Sequence, residues 1–209
     1  LYRSTTNPSS SNNRIQEADA LALWVTDAWM ISDALRLDLA LRHERIDTSE
    51  VRYADMNRAN IAAQRDNDVS IWLPGVAALY QINDQWSLLA GIHRGFSPLG
   101  GSAKSTEKPE TSVNYEMGVR YDGAWFAEVV GFYSDFSNKA ETCSNSQPCS
   151  NGAVGGTFVT GEAVIAGVEV QLGHIFQTGD IAWPISLAFT HSQAEASRDN
   201  VQSGVLDGA

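Results

Sequence analysis

The sequence predicts an all-β protein: an antiparallel meander of about eight strands, forming an arc of a larger transmembrane β-barrel. Three observations predict it. Apolar and polar residues alternate with a period of two along segment after segment, which marks strands with one apolar face. Connections alternate between very short and long, as in outer-membrane barrels with short periplasmic turns and longer outer loops. Tryptophan and tyrosine gather near the short turns, where amphipathic rings favour a membrane–water interface.

The first segment, residues 19–31, is strand-like, although Asp27 interrupts its apolar face. Leu35, Leu37, Leu39 and Leu41 then alternate with Arg36, Asp38, Ala40 and Arg42. Residues 69–82 read as a strand without a legible lipid face. Next, Trp86, Leu88, Ala90 and Ile92 alternate with Ser87, Leu89, Gly91 and His93. The most regular stretch follows: Val113, Tyr115, Met117, Val119 and Tyr121 lie on one face, with Ser112, Asn114, Glu116, Gly118 and Arg120 on the other. Its polar face carries a carboxylate and a guanidinium, and its apolar face ends in an aromatic ring, which suits a wall between lipid and water. Residues 124–136 are apolar on both faces through Phe126, Val130 and Phe132. Val164, Ala166, Val168, Val170 and Leu172 form the next apolar face, and Ile181, Trp183, Ile185, Leu187 and Phe189 the last.

The short connections are Ser32-Asp33, Asn83-Asp84, Asp122-Gly123 and Thr178-Gly179, pairs suited to tight hairpins. The long ones, roughly 46–68, 97–111 and 138–160, are rich in Ser, Asn, Gly and charge. Loops of that length are unusual in a compact soluble domain and usually functional. Trp29, Trp86, Tyr121, Trp125 and Trp183 all lie near a short turn and on the apolar face. Tryptophans filling a soluble sandwich core are the alternative, but core aromatics have no reason to collect at one end of every hairpin.

Composition narrows the classes. The chain has 209 residues, 43% hydrophobic, with a formal net charge of −11. No run approaches the roughly 18–20 apolar residues of a membrane-spanning helix, so a barrel is the remaining way to cross a bilayer. The acidic balance speaks against a nucleic-acid partner, which needs a basic surface. The sequence starts without Met or a signal segment and stops at Leu206-Asp207-Gly208-Ala209 without a terminal aromatic. Counting strands places both ends on the long-loop side, whereas complete barrels begin and end on the periplasmic side. The whole of 1–209 is therefore expected to be one piece of a barrel, without a second domain.

The stretch Gly91–Pro98, G-I-H-R-G-F-S-P, followed by K-P-E-T-S-V-N-Y-E-M-G from Lys108, resembles the TonB-dependent outer-membrane receptors. Further matches, in the family's order, are A-L-A-L-W-V-T-D from Ala20, Leu73-Pro74-Gly75, F-Y-S-D-F-S-N from Phe132 and Ala166-Gly167-Val168-Glu169. The resemblance covers nearly the whole chain and is most like the ferric-citrate and siderophore receptors. It implies a barrel of about 22 strands filled by a plug domain, with TonB energising release of a ferric chelate into the periplasm. The plug and TonB-box region are absent from this chain, which would supply barrel wall and outer loops. Outer-membrane lipid, the plug and the TonB complex are the implied partners.

Individual residues carry less. Pro109 lacks a ladder donor and suits the start of a strand. Gly118 leaves space on the lumen face. Glu116 and Arg120 are roughly 13 Å apart at strand rise, so each is expected to pair with an adjacent strand or the plug. His93 and Arg42, on the lumen face near the outer rim, and Arg94 beside His93, are the candidate contacts to an anionic ferric chelate; a solvated wall is the plainer reading. Asp66-Asn67-Asp68 lacks the rest of a calcium loop, and the four histidines have no metal-ligand spacing, so no metal site or cofactor is expected. Cys143 and Cys149, the only cysteines, read as a disulfide in a cell-surface loop; a metal or redox pair would need partner residues that are lacking nearby. No nucleophile elbow, catalytic order or phosphate loop appears, and an enzyme is not expected. A small complete barrel acting as porin or adhesin, and a soluble binding module, are the rival readings.

Overall fold

The computed structural model describes residues 13–100, 108–143 and 156–197, with the backbone alone at 140–143, 156–160 and 196–197. Eight strands follow in chain order: β1 (Arg14–Ser32), β2 (Leu35–Tyr53), β3 (Ile61–Gln81), β4 (Trp86–Ser97), β5 (Glu110–Asp122), β6 (Phe126–Cys143), β7 (Gly156–Thr178) and β8 (Ile181–Ser197). They form one sheet in sequence order, β1 to β8, as an antiparallel meander. The described strands do not divide into two packed sheets, which a soluble sandwich requires.

The short turns lie a residue or so beyond the pairs read from the sequence, and side chains explain the offset. Ser32 ends β1, and its Oγ accepts the N–H groups of Ala34 (3.3 Å) and Leu35 (3.1 Å). Asn83 Oδ1 accepts those of Gln85 and Trp86, both at 3.0 Å, the local bond that makes Asn a turn former. Gly179 adopts φ +61°, a left-handed conformation that glycine takes without steric cost. Neighbouring turns are also tied together. Gln81 N–H donates to Ala34 O at 2.7 Å and Asp122 N–H to Gln85 O at 2.8 Å, so the first three turns sit side by side on one edge.

The expected long loop 46–68 is corrected. β2 runs on to Tyr53 and β3 begins at Ile61, leaving only 54–60 as the connection. Neither face is continuously apolar there, so no regular alternation announces the strands; ladder hydrogen bonds and ion pairs hold them instead. β1 and β2 have 19 residues each, β3 has 21 and β7 has 23, about twice the roughly 9–11 that cross a bilayer. Leu73-Pro74-Gly75 lies inside β3, and pairing with β4 runs from Gly75↔His93 to Gln81↔Ser87. β5 does begin directly after Pro109.

Register settles the two strands whose faces the sequence left open. Gly75, Ala77 and Leu79 of β3 pair with His93, Gly91 and Leu89, placing them on the polar face and Val76, Ala78 and Tyr80 on the apolar one. In β6, Glu128, Val130 and Phe132 pair with Arg120, Gly118 and Glu116 and share their polar face. The apolar face is unpartnered: Ile181, Trp183, Ile185, Leu187 and Phe189 of β8 are 54–61% exposed, and Leu21, Leu23 and Val25 of β1 are similarly bare. Apolar exposure on this scale marks a surface that meets protein or membrane.

Two compact units emerge. One comprises the long-loop ends of β1, β2 and β3; the other holds the remaining segments of those strands and most of β4 to β8.

Candidate functional site

In the larger unit the polar face is a wall of paired charges over small residues. β5 and β6 bring Arg120 opposite Glu128, and Arg120 Nε donates to Glu128 Oε2 at 2.5 Å. That is the adjacent-strand pairing expected for Arg120. On β2, Arg36 makes two bonds to Asp38 Oδ1 at 2.7 and 2.9 Å. Arg36, Asp38 and Glu116 all line a concavity of about 680 Å³ whose floor is built by Ala40, Gly75, Ala77 and Gly91. Small side chains there leave the volume open.

Two glycines permit this packing. A Cβ on Gly118 would lie 2.7 Å from Val129 O and 2.8 Å from Val130 Cγ2. At Gly167, opposite Phe132 in the β6–β7 register, a Cβ would lie 2.7 Å from the Phe132 ring and against His191 O. The Phe132 ring thus covers the backbone that Gly167 leaves bare.

The smaller unit has a different polar centre. Glu50 is almost fully buried, at 1% exposure, and gathers three side chains on its carboxylate. Arg14 Nη1 lies 3.3 Å from Oε2, Gln16 Nε2 donates to the same oxygen at 2.5 Å, and Arg52 Nε pairs with Oε1. Arg42 pairs with Glu44 at 2.5 Å on the same face of β2. The 54–60 connection is ordered around Asp55, whose carboxylate accepts Ala59 N–H (2.9 Å), Asn60 N–H (3.0 Å) and Asn60 Nδ2 (2.6 Å). These bonds, led by that from Ala59, hold the Asp55 carboxyl below the usual carboxylate range. Asn13 secures the same connection: its Nδ2 donates to Asp55 O at 2.6 Å, and its Oδ1 accepts from Arg58 Nε at 3.2 Å.

The opposite, apolar face carries an aromatic rim at the short-turn end. Trp86 and Tyr121 approach with centroids 5.0 Å apart. Trp125 stacks on His174 at 4.1 Å and meets Phe176 edge-on at 5.8 Å. His174 Nδ1–H donates to Ala124 O at 2.6 Å, which fixes the imidazole against Trp125. Trp183 lies opposite Phe176 in the β7–β8 register. Trp29 Nε1–H donates to Asp27 Oδ2 at 2.5 Å, giving a partner to the carboxylate that interrupts the apolar face of β1. The rim thus contains the expected Trp29, Trp86, Tyr121, Trp125 and Trp183. His174 and Phe176 join it unannounced, and their spacing of two along β7 was the signal available.

Of the predicted chelate contacts, His93 lines the concavity and its main-chain carbonyl accepts Asn114 Nδ2 at 3.4 Å. Arg94, the next residue along β4, alternates to the other face and is exposed. Arg42 belongs to the smaller unit, beside Glu44. Sequence reasoning did not find the Arg14–Glu50–Arg52 group, because it lies where a loop was expected. Cys149 and the Cys143 side chain fall outside the described residues. Among the described residues no group of His, Cys, Asp and Glu is arranged to hold a metal.

Comparison with known proteins agrees with this two-faced wall. The family described as TonB dependent receptor-like, beta-barrel, matches residues 2–208. The pesticin receptor of Yersinia enterocolitica is 26% identical over 196 residues, covering 88% of this chain and 28% of that protein. Among solved structures, the ferric yersiniabactin uptake receptor FyuA from Yersinia pestis superimposes with a TM-score of 0.69 at 20% identity, over 89% of this chain and 28% of its own. The ferric-catecholate import receptor Fiu from E. coli K12 gives 0.70 at 14% identity, over 88% and 29%. The chain thus spans under a third of the length of these relatives, and they are receptors and transporters rather than enzymes. An antiparallel meander with one bare apolar face, one charged face, an aromatic rim and a family match along almost its whole length belongs to the TonB-dependent receptor β-barrels of the bacterial outer membrane.

Proposed function

We propose that the full-length protein takes up a ferric chelate, a siderophore or ferric citrate, across the outer membrane with energy from the TonB complex. This chain supplies barrel wall and the outer ends of strands; the plug domain and the TonB contact belong to other parts of the protein. The observation that carries the reading is the family match combined with a charged inner wall that is both polar and roomy. The concavity over Gly75, Ala77 and Gly91 is the surface against which a plug packs, and Glu116, with no ion partner among the described residues, is the wall charge available to it. Names of relatives point the same way, since two similar structures are described as receptors for ferric yersiniabactin and ferric catecholates. Family membership favours a receptor over a small porin or adhesin.

The Cys143–Cys149 disulfide belongs to the same proposal, as a staple in the outer β6–β7 connection. The test is uptake of radiolabelled iron by cells expressing the full-length gene, with and without an intact TonB system. Uptake of at least one ferric chelate that vanishes without TonB supports the proposal. TonB-independent diffusion, or no iron uptake with any chelate, contradicts it.

A further inference from the structure

Charge on the outer ends of β1, β2 and β3 is sorted by face. Among the described residues of these three strand ends, the face that carries Glu50 also carries Arg14, Arg42, Arg52 and Arg65, with Glu44 as its other carboxylate. Direct contacts put Arg14, Gln16, Glu50 and Arg52 together, and alternation along β2 and β3 adds Arg42, Glu44 and Arg65. Among the same described residues, the opposite face carries Glu17, Asp19, Asp47, Asp66 and Asp68 against Arg45. His43, Ser70 and Trp72 mark that second face, with His43 Nε2 and Ser70 Oγ sharing a hydrogen bond at 3.0 Å and the two rings 4.4 Å apart. In a chain of net charge −11, the face that carries Glu50 is therefore the one with excess positive charge.

The excess is held in place. One buried carboxylate neutralises one of two guanidiniums, and Arg14 and Arg52 remain 39% and 24% exposed. Each guanidinium has five N–H donors, and Glu50 uses only part of that supply. Fixing two arginines on a buried anchor removes much of the entropy they would lose on gripping a ligand. Their planar forks suit carboxylate oxygens.

We infer that the Arg14–Glu50–Arg52 group, with Arg42 and Arg65 on the same face, selects an anionic ferric chelate with peripheral carboxylates over neutral or cationic ones. The inference rests on the ferric-chelate reading above and narrows it to one charge class. Long-range attraction adds to direct contact here, since a surface of one sign raises the local concentration of its counter-ion.

The experiment measures equilibrium binding to the full-length receptor across a range of salt. The probes are ferric citrate and a carboxylate-bearing phenolate chelate as anions, a neutral trihydroxamate chelate and a cationic trihydroxamate chelate. The expected result is tightest binding of an anion, weakening steeply with ionic strength. The triple variant Arg14→Gln, Glu50→Gln, Arg52→Gln removes the group without stranding a buried carboxylate. It should bind the preferred anion about tenfold more weakly, with a shallower salt slope. Preference for a neutral or cationic chelate, a salt-independent affinity, or an unchanged variant overturns the inference while leaving ferric-chelate uptake standing. Binding of none of the four probes by wild-type receptor overturns both. Charge preference and salt slope of the wild type decide the matter even if the variant fails to insert.

Discussion

Gly118 shows how one absent methyl group governs a strand pair. Its hypothetical Cβ meets the main-chain oxygen of Val129, an atom that moves only if β6 moves. Gly118→Ala should destabilise the full-length barrel by about 1–3 kcal/mol, read as a lowered urea midpoint for unfolding from lipid vesicles; an unchanged midpoint would show that the pair has slack. Asp55 makes a different residue-scale prediction. Its carboxyl sits below the usual range because amides of the 54–60 connection bond its ionised form. A depressed folded pKa stabilises above the unfolded pKa, and the contribution is lost as pH falls through the folded value. Exchange protection of the Ala59 and Asn60 amides should therefore persist at neutral pH and vanish in acid below the ordinary carboxylate range. Protection that is constant across that window would mean the connection does not depend on Asp55. For Cys143 and Cys149, mass spectrometry of surface-exposed receptor should show a bonded pair, and thiol labelling of both without reduction would contradict it. Closing so short a loop adds only about 2–3 kcal/mol on the chain-entropy model, so loss of the bond should leave the barrel intact.

Among the elements, β5 was fully legible because its alternation never slips, and its pairing with β6 follows residue for residue from Thr111↔Ser137 to Asp122↔Phe126. β2 and β3 were legible only where one face is apolar. Past His43 neither face of β2 is continuously apolar, and the period-two signal disappears although the strand continues for ten residues to Tyr53. What sustains it is a network that pairs across strands, and pairing partners 34 or 36 positions away leave no local trace in a sequence. Glu50→Ala tests that account. It leaves Arg14 and Arg52 without their shared anchor and should cost about 1–3 kcal/mol. The loss should fall on the outer ends of β1 and β2, so their amides should exchange faster while those of β7 and β8 are unaffected. Uniform loss of protection across all eight strands would contradict a local role.

For the molecule as a whole, the order of strands, the rim aromatics and the family were readable because membrane placement imposes one repeated pattern on every hairpin. The position of the charged outer group was not, since it depends on strands extending beyond the bilayer, where no lipid enforces alternation. His174 was missed for a related reason: an imidazole on an apolar face looks like an exception until Trp125 is seen stacked upon it. The central claim is that one face of this sheet meets lipid and the other a wet lumen. Val170 and Gln171 test it as neighbours on β7 with opposite orientation, since Val170 pairs with outward Phe189 and Gln171 with Ala188. Val170 lies four residues from the rim residue His174 on the same face, about 13 Å at strand rise, or roughly half the height of a barrel's apolar band. Val170→Arg should cost about 2–4 kcal/mol in the folding of full-length receptor into lipid vesicles, because the charge must leave water without a partner. Gln171→Arg keeps a long polar side chain in the lumen and should cost less than about 1 kcal/mol on the same scale. Penalties of equal size at the two positions would contradict the assignment of faces and the barrel with it.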